Sequence, residues 1–195
     1  SVRLIGTGFL IEVEGMFHLM TAKHLVADLQ TNKSKGQKLQ TVFNIRSGSV
    51  GFRSIDEIRK NFGVDWVLHP KADLAVIPFG LDEKNDDVKV IPQNLFLDTS
   101  RLFELYDVFF LSYQPGIEPK TKVTPVARSG IISLLNPDKT FYIDAFAFPG
   151  NSGSPVFLTP SAIRFDKGGI SIGGDELGGK FIGVVGEYIP YQEIA

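Results

Sequence analysis

Residues 8–24 read GFLIEVEGMFHLMTAKH, and the reading of the whole fold starts there. Apolar and polar residues alternate through 8–14, Gly15 interrupts them, and the alternation resumes over 16–22. A period of two belongs to strands, so the stretch predicts a β-hairpin that leaves His24 just past a strand end. Outward from it the same texture continues. Residues 31–38 (TNKSKGQK) are a basic polar loop, 41–46 a strand, and 65–68 another before the His69-Pro70 turn. Residues 72–79 (ADLAVIPF) are almost wholly apolar after Asp73, as in a strand buried on both sides. Residues 55–62 allow one short helix. The acidic run 82–87 reads as solvated surface, and a boundary is placed near residue 97. Beyond it, strands are predicted at 107–113, 122–133, 141–148, 155–158 and 181–188.

Composition supports an all-β class and removes several functions. The 195 residues include 16 Phe, 20 Gly and 11 Pro, which suits short strands between tight turns. There is no cysteine, which excludes disulfides, thiolate metal sites and a cysteine nucleophile. A net charge of −2 lacks the basic excess that a polyphosphate partner demands, so nucleic acid is not expected. No apolar run approaches the roughly 18 residues of a membrane span, so membrane insertion is not expected. His18, His24 and His69 show neither HxH nor HExxH spacing, so no metal is expected, and no other cofactor. The glycine-rich run 168–179 (GGISIGGDELGG) lacks the Gly-Lys-Ser/Thr ending of a phosphate loop and reads as hairpin turns. Compartment and oligomeric state stay open.

Three segments carry chemistry: TAKH at 21–24, ADLAVI at 72–77 and GNSGSPVF at 150–157. Singly, His24 passes for a capping or core histidine, Asp73 for an Asx turn and Ser152 for a turn serine. Together, in the order His, Asp, Ser, they resemble the trypsin/chymotrypsin-like serine peptidases. That order separates them from the α/β-hydrolases, whose GxSxG elbow also fails here because Ser154 stands at its fifth position.

The resemblance implies two antiparallel, six-stranded-type β-barrels with the active site in the cleft between them. Residues 1–97 would form the N-terminal barrel with His24 and Asp73, and residues 98–195 the C-terminal barrel with Ser152. It makes His24 the base, Asp73 its orienting carboxylate and Ser152 the nucleophile, with the backbone N–H groups of Gly150 and Ser152 as oxyanion donors. A serine hydroxyl needs a neutral imidazole to take its proton, and that imidazole needs a fixed tautomer. Asn151 cannot form the ion pair by which zymogen-activated relatives lock their turn. GNSG is instead similar to the bacterial branch, including HtrA-type protease domains. Phe146 would floor the substrate pocket, with Gly186, Glu187 and Tyr188 on its wall. The chain ends seven residues after Tyr188, short of the family's last barrel strand, so the second barrel is expected to be trimmed or to close differently. The substrate implied is a peptide or protein. The competing expectation is a catalytically silent domain of the same fold that grips peptides or partner proteins.

Overall fold

The computed structural model describes residues 3–35, 38–116, 122–166 and 169–187. The alternating N-terminal stretch forms β1 (Gly8–Val13) and β2 (Met16–Thr21), paired antiparallel from Gly8↔Thr21 to Val13↔Met16. Glu14 and Gly15 turn the chain with φ of 52° and 75°, the doubly left-handed geometry whose twist matches a two-residue hairpin. A single turn of helix, α1 (Lys23–Val26), then carries His24. After β3 (Gln40–Asn44) and β4 (Val50–Ser54), an antiparallel hairpin of their own, comes α2 (Ile55–Phe62). Ser54 accepts from the Glu57 N–H at its start, and Gly63, at φ 64°, ends it. The strands β5 (Val67–Leu68), β6 (Ala75–Pro78) and β7 (Val90–Pro92) complete a five-stranded sheet of order β5-β6-β2-β1-β7.

The second half repeats the scheme. It comprises β8 (Asp107–Ser112), β9 (Val126–Leu135), β10 (Phe141–Ala145), β11 (Pro155–Leu158) and β14 (Phe181–Val184), ordered β10-β9-β8-β11-β14. A separate hairpin, β12 (Ile163–Asp166) with β13 (Gly169–Ile172), projects between β11 and β14. Strand alternation sets the core: Val108, Phe110 and Ser112 of β8 point inward with at most 1% exposure. One apolar cluster gathers Leu10, Leu19, Ile55, Trp66 and Ile77, and the other gathers Val108, Phe110, Ile132, Val156 and Leu158. We retain residue 97 as a proposed boundary, since the buried members of the first cluster end at Phe79 and those of the second begin at Leu102.

The all-β architecture is the one expected, with differences of detail. Among the described residues each main sheet has five strands rather than six. The β1–β7 pair is parallel, because the chain returns to β1 through the acidic turn that Asp86 ties down by accepting from the Asp82 N–H and Arg53. The strand predicted at 72–79 starts only at Ala75, since 72–74 form a turn closed by Leu74 N–H to Ala72 C=O. The run 168–179 supplies a strand, β13, that its glycines hid.

Contacts away from His24 and Ser152 help to join the halves. Phe9, Phe181, Phe157 and Phe109 form a chain of rings with successive centroids 5.5, 5.9 and 5.2 Å apart, and Phe96 joins Phe181 at 5.0 Å. Asn44 mimics a β-bridge: its amide donates to Val123 C=O and accepts from Val123 N–H, each at 2.8 Å.

Candidate active site

His24 and Asp73 meet through local constraints written around each. Helix α1 lifts His24 off the end of β2, and the Asp73 carboxylate binds it twice. Oδ2 lies 2.6 Å from ring Nδ1, and Oδ1 accepts the His24 backbone N–H at 2.8 Å. Burial alone would raise the Asp73 carboxyl. The two hydrogen bonds from His24, with the charges of His24 and Lys23, outweigh it and hold the group below the ordinary aspartate value. Facing an ionised carboxylate, Nδ1 carries the ring proton, which leaves Nε2 as the acceptor. The side chains are 30% and 16% exposed, so the pair is sheltered without being sealed.

The loop behind Asp73 is built with equal care. The Lys23 N–H donates to Asp73 C=O at 3.3 Å, and the buried Lys23 ammonium donates to His69 C=O at 3.1 Å. His69 Nδ1 accepts from the N–H groups of Lys71 and Ala72, so this histidine caps the turn that presents Asp73. Lys35 Nζ donates to His24 C=O.

Ser152 lies in a turn at the start of β11 whose backbone bonding can be counted group by group. Asn151 N–H bonds Phe148 C=O at 3.0 Å, and Ser154 N–H bonds Asn151 C=O at 3.0 Å. Gly153 N–H bonds Val185 C=O at 2.7 Å, and Ser152 C=O accepts from Thr7 N–H at 2.8 Å. Gly150 C=O accepts the Thr7 hydroxyl at 2.8 Å. Among the described residues, the N–H groups of Gly150 and Ser152 have no acceptor. Because a trans peptide sets N–H opposite C=O, the Asn151 carbonyl, drawn to Ser154, turns the Ser152 N–H the other way. Asn151 is 1% exposed, and its Oδ1 accepts Phe148 N–H at 2.6 Å, so a neutral amide clasps the turn where a carboxylate would need a buried cation.

Two glycines are dictated by space. At Gly150, φ is 97° and a Cβ would stand 2.6 Å from Tyr113 C=O. At Gly153, φ is 85° and a Cβ would stand 2.0 Å from Thr7 C=O and 2.5 Å from Thr21 Oγ1. These contacts press the turn against Thr7, Thr21 and Ala22, two residues before His24.

The remaining site expectations fare unevenly. Gly186 lies beside Asp73, where a Cβ would sit 3.4 Å from Oδ2. Glu187 is exposed, and Phe146 is 83% exposed, so among the described residues nothing roofs it into a closed floor. Tyr188 lies outside the described residues. The Ser152 hydroxyl makes no hydrogen bond to His24 Nε2. Sequence reading missed Thr7 and the roles of Thr21, Lys23, Lys35 and His69. A signal for the first did exist: the hairpin register sets Thr21 opposite Gly8, which brings the residue before Gly8 to the same strand end.

The model of the trypsin-like peptidase domain matches residues 6–161. The chain belongs to the trypsin-like peptidase family. No curated protein matches the sequence closely enough to count as a relative. Membership makes the two curled sheets the family's β architecture and peptides or proteins its substrate class. Among the described residues no helix is long and apolar enough to cross a membrane, and no group of three or more His, Asp or Glu is placed to hold a metal ion.

Proposed function

We propose that the protein is a serine endopeptidase, with Ser152 as nucleophile, His24 as general base and Asp73 as the carboxylate that orients it. The observation that carries this reading is the double grip of Asp73 on His24, ring and backbone, which presents Nε2 in its proton-accepting form. Ser152 Oγ attacks the scissile carbonyl as its proton passes to Nε2, and the imidazolium is stabilised by Asp73. The carbonyl oxygen becomes an oxyanion that accepts from the Gly150 and Ser152 N–H groups, the two donors the turn leaves unused. Each such donor is worth about 10²- to 10³-fold in rate. His24 then protonates the leaving amine, and a water repeats the sequence in reverse to release the acyl group. The neutral, buried Asn151 supports a kinship with bacterial-type enzymes of this family, HtrA-like protease domains among them, in which the turn needs no inserted N-terminal amine.

For the substrate pocket the reading is that Phe146, Gly186, Glu187 and Tyr188 face the side chain before the cleaved bond and that Lys and Arg are disfavoured there. A cationic side chain entering a desolvated pocket needs a carboxylate; Phe146 offers none, and Glu187, the one acid in this set, is exposed to solvent. A peptide-library profile dominated by cleavage after Lys or Arg would sink this assignment.

The second reading, a silent domain that binds peptides, is favoured by the missing Ser152–His24 hydrogen bond. A fluorophosphonate probe separates the two. Covalent labelling that disappears in Ser152→Ala supports the peptidase, and a chain that stays unlabelled under conditions where trypsin reacts supports the binder.

A further inference from the structure

Thr7 is 2% exposed and uses every polar group it has. Its backbone N–H holds Ser152 C=O at 2.8 Å, and its carbonyl accepts the Thr21 hydroxyl at 2.7 Å. Its own hydroxyl donates to Gly150 C=O at 2.8 Å and accepts the Tyr113 N–H at 2.9 Å. Four segments therefore converge at one residue: the lead into β1, the end of β2 three residues before His24, the loop after β8, and the nucleophile turn. The Gly150–Asn151 and Ser152–Gly153 peptides flank the one whose N–H is the Ser152 donor. Thr7 fixes the carbonyl of each. The far end of each is held by Phe148 and Val185 respectively.

From this geometry we propose that Thr7 is a positioning residue for the oxyanion donors, its hydroxyl setting the pose of the Gly150–Asn151 peptide and hence the aim of the Gly150 and Ser152 N–H groups. The proposal rests on the hydrolytic reading of the site for its kinetic consequence, and on the hydrogen-bond geometry alone for its structural one. The hydroxyl must donate and accept at once, so an isosteric methyl cannot replace it. Valine keeps the shape and β-branch but leaves the Gly150 carbonyl and the Tyr113 N–H unpaired in a buried place, and the peptide rotates to find partners. Serine keeps both bonds.

The test compares the wild-type chain with Thr7→Val and Thr7→Ser. Displacement of a reacting group by about 1 Å can cost about 10²-fold, so Thr7→Val is expected to lower kcat by about tenfold to a hundredfold with KM nearly unchanged, and Thr7→Ser to recover most of the loss. A purely structural role would make the loss follow the unfolded fraction and vanish on cooling. The second readout needs no turnover: the ¹H–¹⁵N resonances of Gly150 and Ser152 are expected to shift or broaden in Thr7→Val and to hold in Thr7→Ser. If the valine variant does not fold, Thr7→Ala, with room for a water, is read the same way. Unmoved Gly150 and Ser152 resonances in the variant lacking the hydroxyl, or equal kinetic losses for valine and serine, overturn the proposal. A wild-type chain that never reacts with a fluorophosphonate overturns the peptidase reading instead, and the amide resonances still judge Thr7.

Discussion

Asp73 combines its double grip on His24 with a stability contribution, and both can be read at the single residue. Its carboxyl is held below the ordinary aspartate value, so the folded state binds this proton less readily than the unfolded chain does. The stabilisation is therefore complete above the unfolded value of about 4 and is lost as pH falls through the lower, folded value. Asp73→Asn is expected to flatten part of the acid limb of a stability-against-pH curve measured by denaturant unfolding. The same variant presents an amide to Nδ1 in place of a carboxylate and so loses tautomer control. A fall in kcat of about 10⁴-fold is expected, as measured on a peptide substrate. Gly153 is the other residue at which one atom decides. Gly153→Ala would drive a Cβ into the Thr7 carbonyl at a φ of 85°, and it should destabilise by more than about 1 kcal/mol and abolish fluorophosphonate labelling.

Among the elements, the β12–β13 hairpin shows how a projecting piece is fastened. Ile163, Phe165, Ile170 and Ile172 are 52–80% exposed, so hydrophobic burial does little to hold it. Polar bonds hold it: the Tyr106 hydroxyl donates to Phe165 C=O, and Arg164, whose side chain is 7% exposed, lies 2.9 Å from Asp175, donates to Thr159 C=O and sets its guanidinium 4.9 Å from the centre of the Tyr106 ring. The Arg164 hydrogen bond, helped by the N–H groups of Ser161 and Leu177, drives the Asp175 carboxyl far below the ordinary range despite its burial. Removing one member of a buried pair strands the other, so Arg164→Met is expected to cost about 3–5 kcal/mol in thermal or chemical unfolding. Asp175→Asn, which keeps hydrogen bonding but not charge, should cost less. Limited proteolysis should cut first at this hairpin in the Arg164 variant.

At the scale of the whole molecule, the two sheets must hold one relative pose, because His24 and Asp73 belong to one half and the Ser152 turn to the other. The ring chain through Phe181 is the apolar part of that connection, and Phe181 itself is 7% exposed. Truncating a buried aromatic costs about 3–5 kcal/mol. Phe181→Ala is expected to lower stability by that order and, because Phe9 then loses its neighbour across the interface, to lower kcat even at temperatures where the variant is fully folded. Activity measured well below the unfolding midpoint checks this: a stability loss with unchanged kcat would show that the rings stabilise the halves without setting their pose.

The sequence by itself determined what is local and periodic. Alternation over 8–22 defined the first hairpin and put His24 at its end. Residues 55–62 offered one short helix, and the conjunction and order of TAKH, ADLAVI and GNSGSPVF named the residues worth testing. Tertiary structure decided everything that depends on which distant groups share space. Nothing about Thr7 as a lone polar residue before a strand reveals that its hydroxyl will meet Gly150, 143 positions away. His69 reads as an ordinary loop residue until its ring accepts from the turn that presents Asp73. Hydrogen-bond satisfaction is a property of the folded chain, since each buried donor takes whatever acceptor packing brings within about 3 Å. That is why alternation sufficed for the first hairpin, and why the bonding of the 150–154 turn, with two donors left over, became legible only once the halves were joined.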